Sequence, residues 1–135
     1  MIVVDTSAWV ELLRETGSPV DRTLRRFLQD QAELAVTEAI LLEVLSGARS
    51  EEHARELRET LLGFPMLELA GLPGFEAAAE LYRACRRAGE TLRSLLDCLI
   101  AVPAIAAGAT LLQADEDYER LARHTPLRLE PVDRP

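Results

Sequence analysis

Lysine is absent from this 135-residue chain, so all fifteen basic side chains are arginine. Arginine suits bidentate contacts with phosphate or carboxylate better than lysine does, although compositional bias of the source genome accounts for most of the absence. Histidine occurs only twice. His53 lies in a charged helical stretch and His124 near the chain end, and both read as surface residues. A general acid–base pair of histidines is therefore unsupported, as is a zinc site of the His/Cys type. The two cysteines, Cys85 and Cys98, lack metal-ligand spacing and read as buried free thiols. Apolar runs fall well short of the roughly 20 residues a membrane helix needs. The opening MIVVDTSAWV has no basic segment and does not read as a signal peptide. Nothing requires an oxidising compartment, so a cytoplasmic location is expected. No phosphate-binding loop or dinucleotide fingerprint is found, and Ser7 lacks the setting of a nucleophile elbow.

What remains is a chain with 48% apolar residues, enough for one packed core, read as a single domain over 1–135. The formal net charge is −8. Alone, that argues against a polyanionic partner, because phosphate contacts want a basic surface. The objection weakens if several acids are gathered in one place to hold cations.

Short apolar runs alternate with helical patterns along the chain. Residues 2–4 are a β-branched run and predict a buried strand. Asp5, Thr6 and Ser7 supply capping side chains for a helix from about Ala8, carried by Leu12 and Leu13 toward Gly17. Ser18-Pro19 opens a second helix to about Asp30. A strand is expected at 33–36, then a helix capped by Thr37 and ended at Gly47. Further helices are expected at 50–62, 73–88, 94–107 and 115–123, and strands at 64–70 and 109–112, with an edge strand at 127–129. Alternating strands and helices imply parallel crossovers. The expected fold class is α/β, a three-layer α/β/α sandwich with a short, mostly parallel central sheet. In such folds the ligand site lies beyond the carboxyl ends of the strands.

Four carboxylates stand where solubility does not explain them. Asp5 closes the first strand. Glu43 interrupts the apolar run Ile40-Leu41-Leu42-Glu43-Val44-Leu45, and Asp97 sits in the most apolar helix. Asp115 follows Leu111-Leu112. Each has a structural account of its own. Asp5 and Asp115 suit helix caps, Glu43 could pair with an arginine, and Asp97 could pair with Arg93 one turn earlier. As a set they are harder to dismiss, since two of them end strands. Buried charges are costly unless paired or bound to metal. Gathered carboxylates repel, and a hard divalent ion such as Mg²⁺ removes that conflict. Asp117 falls in the first turn of the last helix, where the helix dipole favours an acid whatever its function.

These residues resemble the PIN-domain family, in particular the VapC toxins of bacterial toxin–antitoxin pairs. The resemblance rests on Val3-Val4-Asp5-Thr6-Ser7-Ala8-Trp9, the Glu43 helix, Arg93-Ser94-Leu95-Leu96-Asp97-Cys98, and the stretch from Gly108 to Tyr118. It implies an endoribonuclease dependent on Mg²⁺, with Mn²⁺ as a substitute, whose metal-binding acids are Asp5, Asp97, Asp115 and Glu43. Thr6, Ser7, Arg93 and Asp117 would support them. It further implies an RNA substrate, a homodimer, no membrane, and an antitoxin whose tail blocks the site. The chain departs from the family at Gln113, where Thr, His or Ser is common, and at Pro103, where a helix kink is expected. The alternatives are a DNA-directed nuclease of the same fold and a catalytically silent interaction module.

Overall fold

The computed structural model describes residues 1–133. Five strands form one parallel sheet in the order β3-β2-β1-β4-β5. These are β1 (Ile2–Val4), β2 (Leu34–Thr37), β3 (Met66–Leu67), β4 (Thr110–Leu112) and β5 (Arg128–Leu129). Val3, Val4, Ala35, Val36, Leu111 and Leu112 are fully buried, as expected of short apolar strands covered on both faces.

The chain runs outward from β1 to β2 and β3, then returns past β1 to β4 and β5. Right-handed crossovers must change faces when that direction reverses. Helices α1 (Thr6–Leu13), α2 (Pro19–Gln29), α3 (Glu38–Ser46) and α4 (Glu51–Leu62) make the outward crossovers. Helices α5 (Gly71–Arg87), α6 (Leu96–Ala106) and α7 (Glu116–His124) make the return. The reversal falls between β1 and β4, whose register pairs Val4 with Leu112. Asp5 therefore emerges beside the end of β4, and its N–H donates to the Leu112 carbonyl (3.0 Å). The three-layer α/β sandwich expected from the sequence is the one observed, with every strand pair parallel.

Several boundaries differ, each for a local reason. The third strand has two residues rather than the seven of 64–70. The N–H of Leu69 is taken by Glu38 Oε1 (2.9 Å), and Ala70 turns left-handed at φ +66°, so the chain leaves the sheet early. Helix α6 begins at Leu96, because residues 91–95 form a loop tied to α7 through Arg93. Pro103 is buried inside that helix, which continues to Ala106. Both cysteines are buried free thiols. Burial pushes the Cys98 thiol up to about 12. His124 is half-buried and pairs with Glu90, which Arg123 also holds, so it is a structural tie rather than a bare surface residue. Asp21 was not singled out by the sequence pattern. It is a buried acid, held by Arg25 (2.8 Å) and the Gly17 N–H (2.9 Å) at the α1–α2 turn. Among the described residues no helix is long and apolar enough to cross a membrane.

The tightest packing constraint lies where α5 meets the segment leaving β3. A Cβ at Gly74 would sit 1.9 Å from the Leu69 carbonyl oxygen, and backbone cannot yield there as a side chain can. Gly74→Ala should destabilise the fold by about 3 kcal/mol, the upper range for overpacking. Urea denaturation measures it, and a change below ~0.5 kcal/mol would contradict this account.

Candidate active site

Asp5 is the N-cap of α1, and both oxygens of its carboxylate accept hydrogen bonds. Oδ2 accepts from the Ser7 N–H (2.9 Å) and the Ser7 hydroxyl (2.5 Å). Oδ1 accepts from the buried Tyr118 hydroxyl (2.7 Å). Burial raises the Asp5 pKa, and these bonds oppose the rise. The Ser7 hydroxyl also accepts from the Ala114 N–H (2.9 Å), tying the end of β1 to the segment after β4. Thr6, one residue from Asp5, donates through Oγ1 to Glu43 Oε1 (2.8 Å). Glu43 therefore has a hydroxyl partner rather than an arginine. Burial raises its pKa, and the charges of Asp5 and Asp115 raise it further.

Asp97 enters from the first turn of α6 and is 6% exposed. Its Oδ2 is buried and has no hydrogen-bond partner among the described residues. The alternative pairing with Arg93 does not form. Arg93 is not on α6 and is turned toward α7. Burial, then the charges of Asp5, Asp115 and Asp117, push the Asp97 carboxyl up to about 8.

Asp115 is the N-cap of α7, with Oδ1 accepting from the Asp117 N–H (2.9 Å) and from Arg93 Nη2 (2.8 Å). Its own N–H donates to Gln113 Oε1 (2.6 Å), so the departure at that position becomes a local turn contact. Asp117 is more than a helix-end acid. It is 1% exposed and accepts from the Arg93 N–H (2.8 Å), Arg93 Nε (3.4 Å) and Arg120 Nη1 (2.8 Å). Burial pushes its pKa up, but those donated bonds win and hold it below the usual carboxylate range.

Asp97, Asp115 and Asp117 each present an atom within 4.8 Å of the others, a spacing a metal ion can bridge. Asp5 and Glu43 adjoin them closely enough for their charges to be felt, and all belong to a region where β1 and β4 end. The donor set is oxygen only, which suits a hard divalent cation. The buried Asp97 Oδ2, without a hydrogen-bond partner among the described residues, fits that reading. The metal-spaced group thus holds Asp97 and Asp115 of the four acids singled out from sequence together with Asp117, expected there as a supporting residue, while Asp5 and Glu43 lie beside it; Tyr118 is the residue that sequence reasoning missed. Tyr118 positions Asp5, and Asp117 anchors the Arg93 loop. The Tyr118 signal was available in part: an aromatic three residues after Asp115 on α7, in line with the buried Leu121, must face inward.

This crowding has a consequence for the metal-free protein. The folded Asp97 binds a proton far more tightly than an unfolded aspartate, whose pKa is about 3.9. Its contribution to stability is therefore present at low pH and lost as pH rises through about 8. Glu43 and Asp5 shift the same way; Asp117 shifts oppositely but matters only in acid. With a chelator present, the melting temperature should fall from pH 5 to pH 8.5. Asp97→Asn should flatten that fall and melt above wild type at pH 8.5, at about 4 °C per kcal/mol relieved. Mn²⁺ should restore wild type and not the variant. Parallel pH profiles for the two proteins would refute this.

The family model for the PIN domain matches residues 2–124. VapC ribonuclease Mb1587 of Mycobacterium bovis is 46% identical over 129 residues, covering 95% of this chain and 96% of its own. Ribonuclease VapC11 of Mycobacterium tuberculosis matches to the same extent. Among solved structures, VapBC2 from Rickettsia felis bound to a promoter DNA fragment aligns with a TM-score of 0.71 at 21% identity, over 96% of this chain and 98% of that one. M. tuberculosis VapC20, described as a sarcin-ricin loop cleaving toxin, aligns at 0.67 and 17%, over 95% and 99%. These two likenesses speak to the fold. The family match over nearly the whole length, with the acids converging at the switch between β1 and β4, places this chain in the PIN-domain family.

Proposed function

We propose that the chain is a Mg²⁺-dependent endoribonuclease, the toxin of a toxin–antitoxin pair, cleaving RNA at the site of Asp5, Glu43, Asp97 and Asp115. The observation that carries this is Asp97: a buried carboxylate with an unpartnered oxygen, facing other acids, on a chain 46% identical to named VapC ribonucleases. RNA as substrate also puts the protein in the cytoplasm.

In this reading Asp5, Asp97 and Asp115 hold the ion, and Glu43 completes the set. Bound Mg²⁺ supplies charge neutralisation on the phosphodiester and a lowered pKa for a coordinated water. The protein's own part is orientation. Ser7 and Tyr118 fix the two oxygens of Asp5, so it presents lone pairs in one direction only. Arg93 and Arg120 neutralise Asp117 and keep the α7 end of the site from repelling the substrate. Thr6 holds Glu43 by one oxygen, leaving the other free to accept a proton from a nucleophilic water.

Two partners follow. An antitoxin tail would place an arginine among the acids, where a guanidinium meets carboxylates bidentately. Its apolar residues would dock near Leu13, which is 55% exposed beside a cavity of about 140 Å³ lined by Leu12, Leu28 and Phe64. Trp9, the other candidate for that wall, is largely a core residue packed on Phe64 at 5.6 Å. A second copy of the chain would cover the exposed Leu42, Leu72, Phe75 and Leu95, of which Leu42 and Phe75 line a cavity of about 330 Å³ between α3, α5 and α6.

Purified protein should cleave RNA with Mg²⁺ or Mn²⁺ and not with a chelator. Asp97→Asn should keep the fold and lose at least about a hundredfold in rate; wild-type rates from that variant would sink the assignment. Calorimetry with Mn²⁺ separates the acids of α7. Asp115→Ala should abolish binding at the main site. Asp117→Ala should keep weaker binding and cost about 1 kcal/mol in stability, because the part-buried Arg93 N–H loses its acceptor while the Arg93 and Arg120 side chains keep Asp115 and Glu116. The reverse order would exchange their roles. Co-expression with the antitoxin should yield a complex that leaves RNA intact.

A further inference from the structure

A cleft of about 490 Å³ lies between α1, α3 and α4, within the roughly 300–1,000 Å³ typical of ligand sites. Thr6 and Glu43 line it, so it is continuous with the acidic site. Arg14, Arg49 and His53 line it too, with Trp9 in the wall. Arg25, Arg26, Arg93, Arg120 and Arg123 are each held by a carboxylate. Among the described residues nine arginines form no ion pair, and of these Arg14 and Arg49 are the two that line this cleft beside the acids. Trp9 is 3% exposed, yet its Nε1–H has no partner, an arrangement that costs ~1–3 kcal/mol if nothing satisfies it. His53 accepts the Arg49 N–H through Nδ1 (3.0 Å), which puts the ring proton on Nε2. The Thr6 hydroxyl is already given to Glu43.

Glu43 of the acidic site aside, the side chains of this cleft with polar atoms to spare are therefore donors: two guanidinium groups and an imidazole N–H. A peptide backbone brings donors and acceptors in equal number and so makes less use of these donors. A phosphodiester brings acceptors and negative charge alone. We propose that this cleft is a phosphate subsite for the RNA strand, in which Arg14 and Arg49 bind the phosphate next to the one presented to the acids. The proposal rests on the ribonuclease reading and adds to it the place where an acidic protein grips a polyanion. On a chain of net charge −8, positive charge must be concentrated where the substrate lies.

Trp9 is the only tryptophan in the chain, so its emission reports on this cleft directly. A short labelled single-stranded RNA is titrated into the full-length protein in chelator, over a range of KCl concentrations, following anisotropy and Trp9 fluorescence together. Arg14→Gln with Arg49→Gln should weaken binding on the order of tenfold or more. It should lower the slope of log affinity against log salt by about 0.7, the value for one phosphate no longer neutralised on a single strand. The RNA-induced change in Trp9 emission should shrink with it. Cleavage should show a raised KM with kcat largely kept, and Mn²⁺ calorimetry should be unchanged, which separates the loss from damage to the acids. The Lys double variant, which keeps both charges, should retain most of the salt slope. An unchanged slope and KM in a folded Gln variant would overturn the subsite while leaving the ribonuclease reading standing. So would arginine-dependent binding of the antitoxin alone, with RNA indifferent to both residues. Wild-type protein that neither binds nor cuts RNA would overturn the ribonuclease reading, and the subsite with it.

Discussion

Mutual repulsion among carboxylates at the ends of β1 and β4 is the interaction to which the surrounding structure answers. Asp97 meets the charges of Asp5, Asp115 and Asp117 while nearly out of water, and its carboxyl is pushed up to about 8 as a result. A protein selected for stability alone would have no such cluster. What keeps it folded is visible in the partners of each acid. Ser7 and Tyr118 donate to Asp5, Thr6 donates to Glu43, and Arg93 and Arg120 compensate Asp117. Within the cluster Asp97 alone has a buried oxygen without a hydrogen-bond partner among the described residues, and burial is the first cause of its raised pKa. The cluster is thus stabilised everywhere except at the point where an added cation would be most useful.

The same neighbours that neutralise charge also carry the geometry. Ser7 bonds both Asp5 and the Ala114 N–H, so the end of one strand and the turn after another move as a unit. Arg93 reaches both Asp115 and Asp117 from the loop before α6, fixing where Asp97 enters. Such cross-ties hold oxygen ligands in place before any ion arrives, which is the preorganisation that electrostatic catalysis depends on. They also explain why residues 91–95 remain a loop despite helix-compatible residues: the Arg93 N–H is spent on Asp117 rather than on a helical turn.

Much of this was legible from residues close in sequence. The β-branched run ending in Asp5, the acids set into apolar helices, the helix opening at Ser18-Pro19 and the cap at Thr37 are local patterns. The structure has them where they were expected. Parallel order and the location of the site followed from alternation of strands and helices. What could not be read were the partnerships across the chain. Tyr118 meets Asp5 over a separation of 113 residues, Arg93 meets Asp117 over 24, and Thr6 meets Glu43 over 37. Local reasoning put Arg93 with Asp97 because they are four apart, and put Asp117 at a helix end because dipoles favour acids there. Tertiary contacts overrode the first and enlarged the second. The short third strand failed for a similar reason, since the side chain of Glu38 on a distant helix captures the Leu69 N–H.

Arginine usage on this chain closes the electrostatic argument. The side chains that balance buried acids, Arg25 on Asp21 and Arg93 and Arg120 on Asp117, do so close to the acid they serve. Guanidinium groups suit this role because they stay charged and give several donors in one plane. Once those are assigned, the negative surplus falls on the rest of the surface, and long-range attraction for a polyanion is weak. Recognition of RNA must then be short-range. At physiological salt the screening length is ≈ 8 Å, so only charges lining the substrate's path count. Arg14 and Arg49 lie on the one side of the acidic site where a cleft leads away from Glu43 with no carboxylate to claim them. An acidic overall charge and an RNA substrate are compatible on those terms: the acids hold the cation, and a few unclaimed arginines beside them hold the strand.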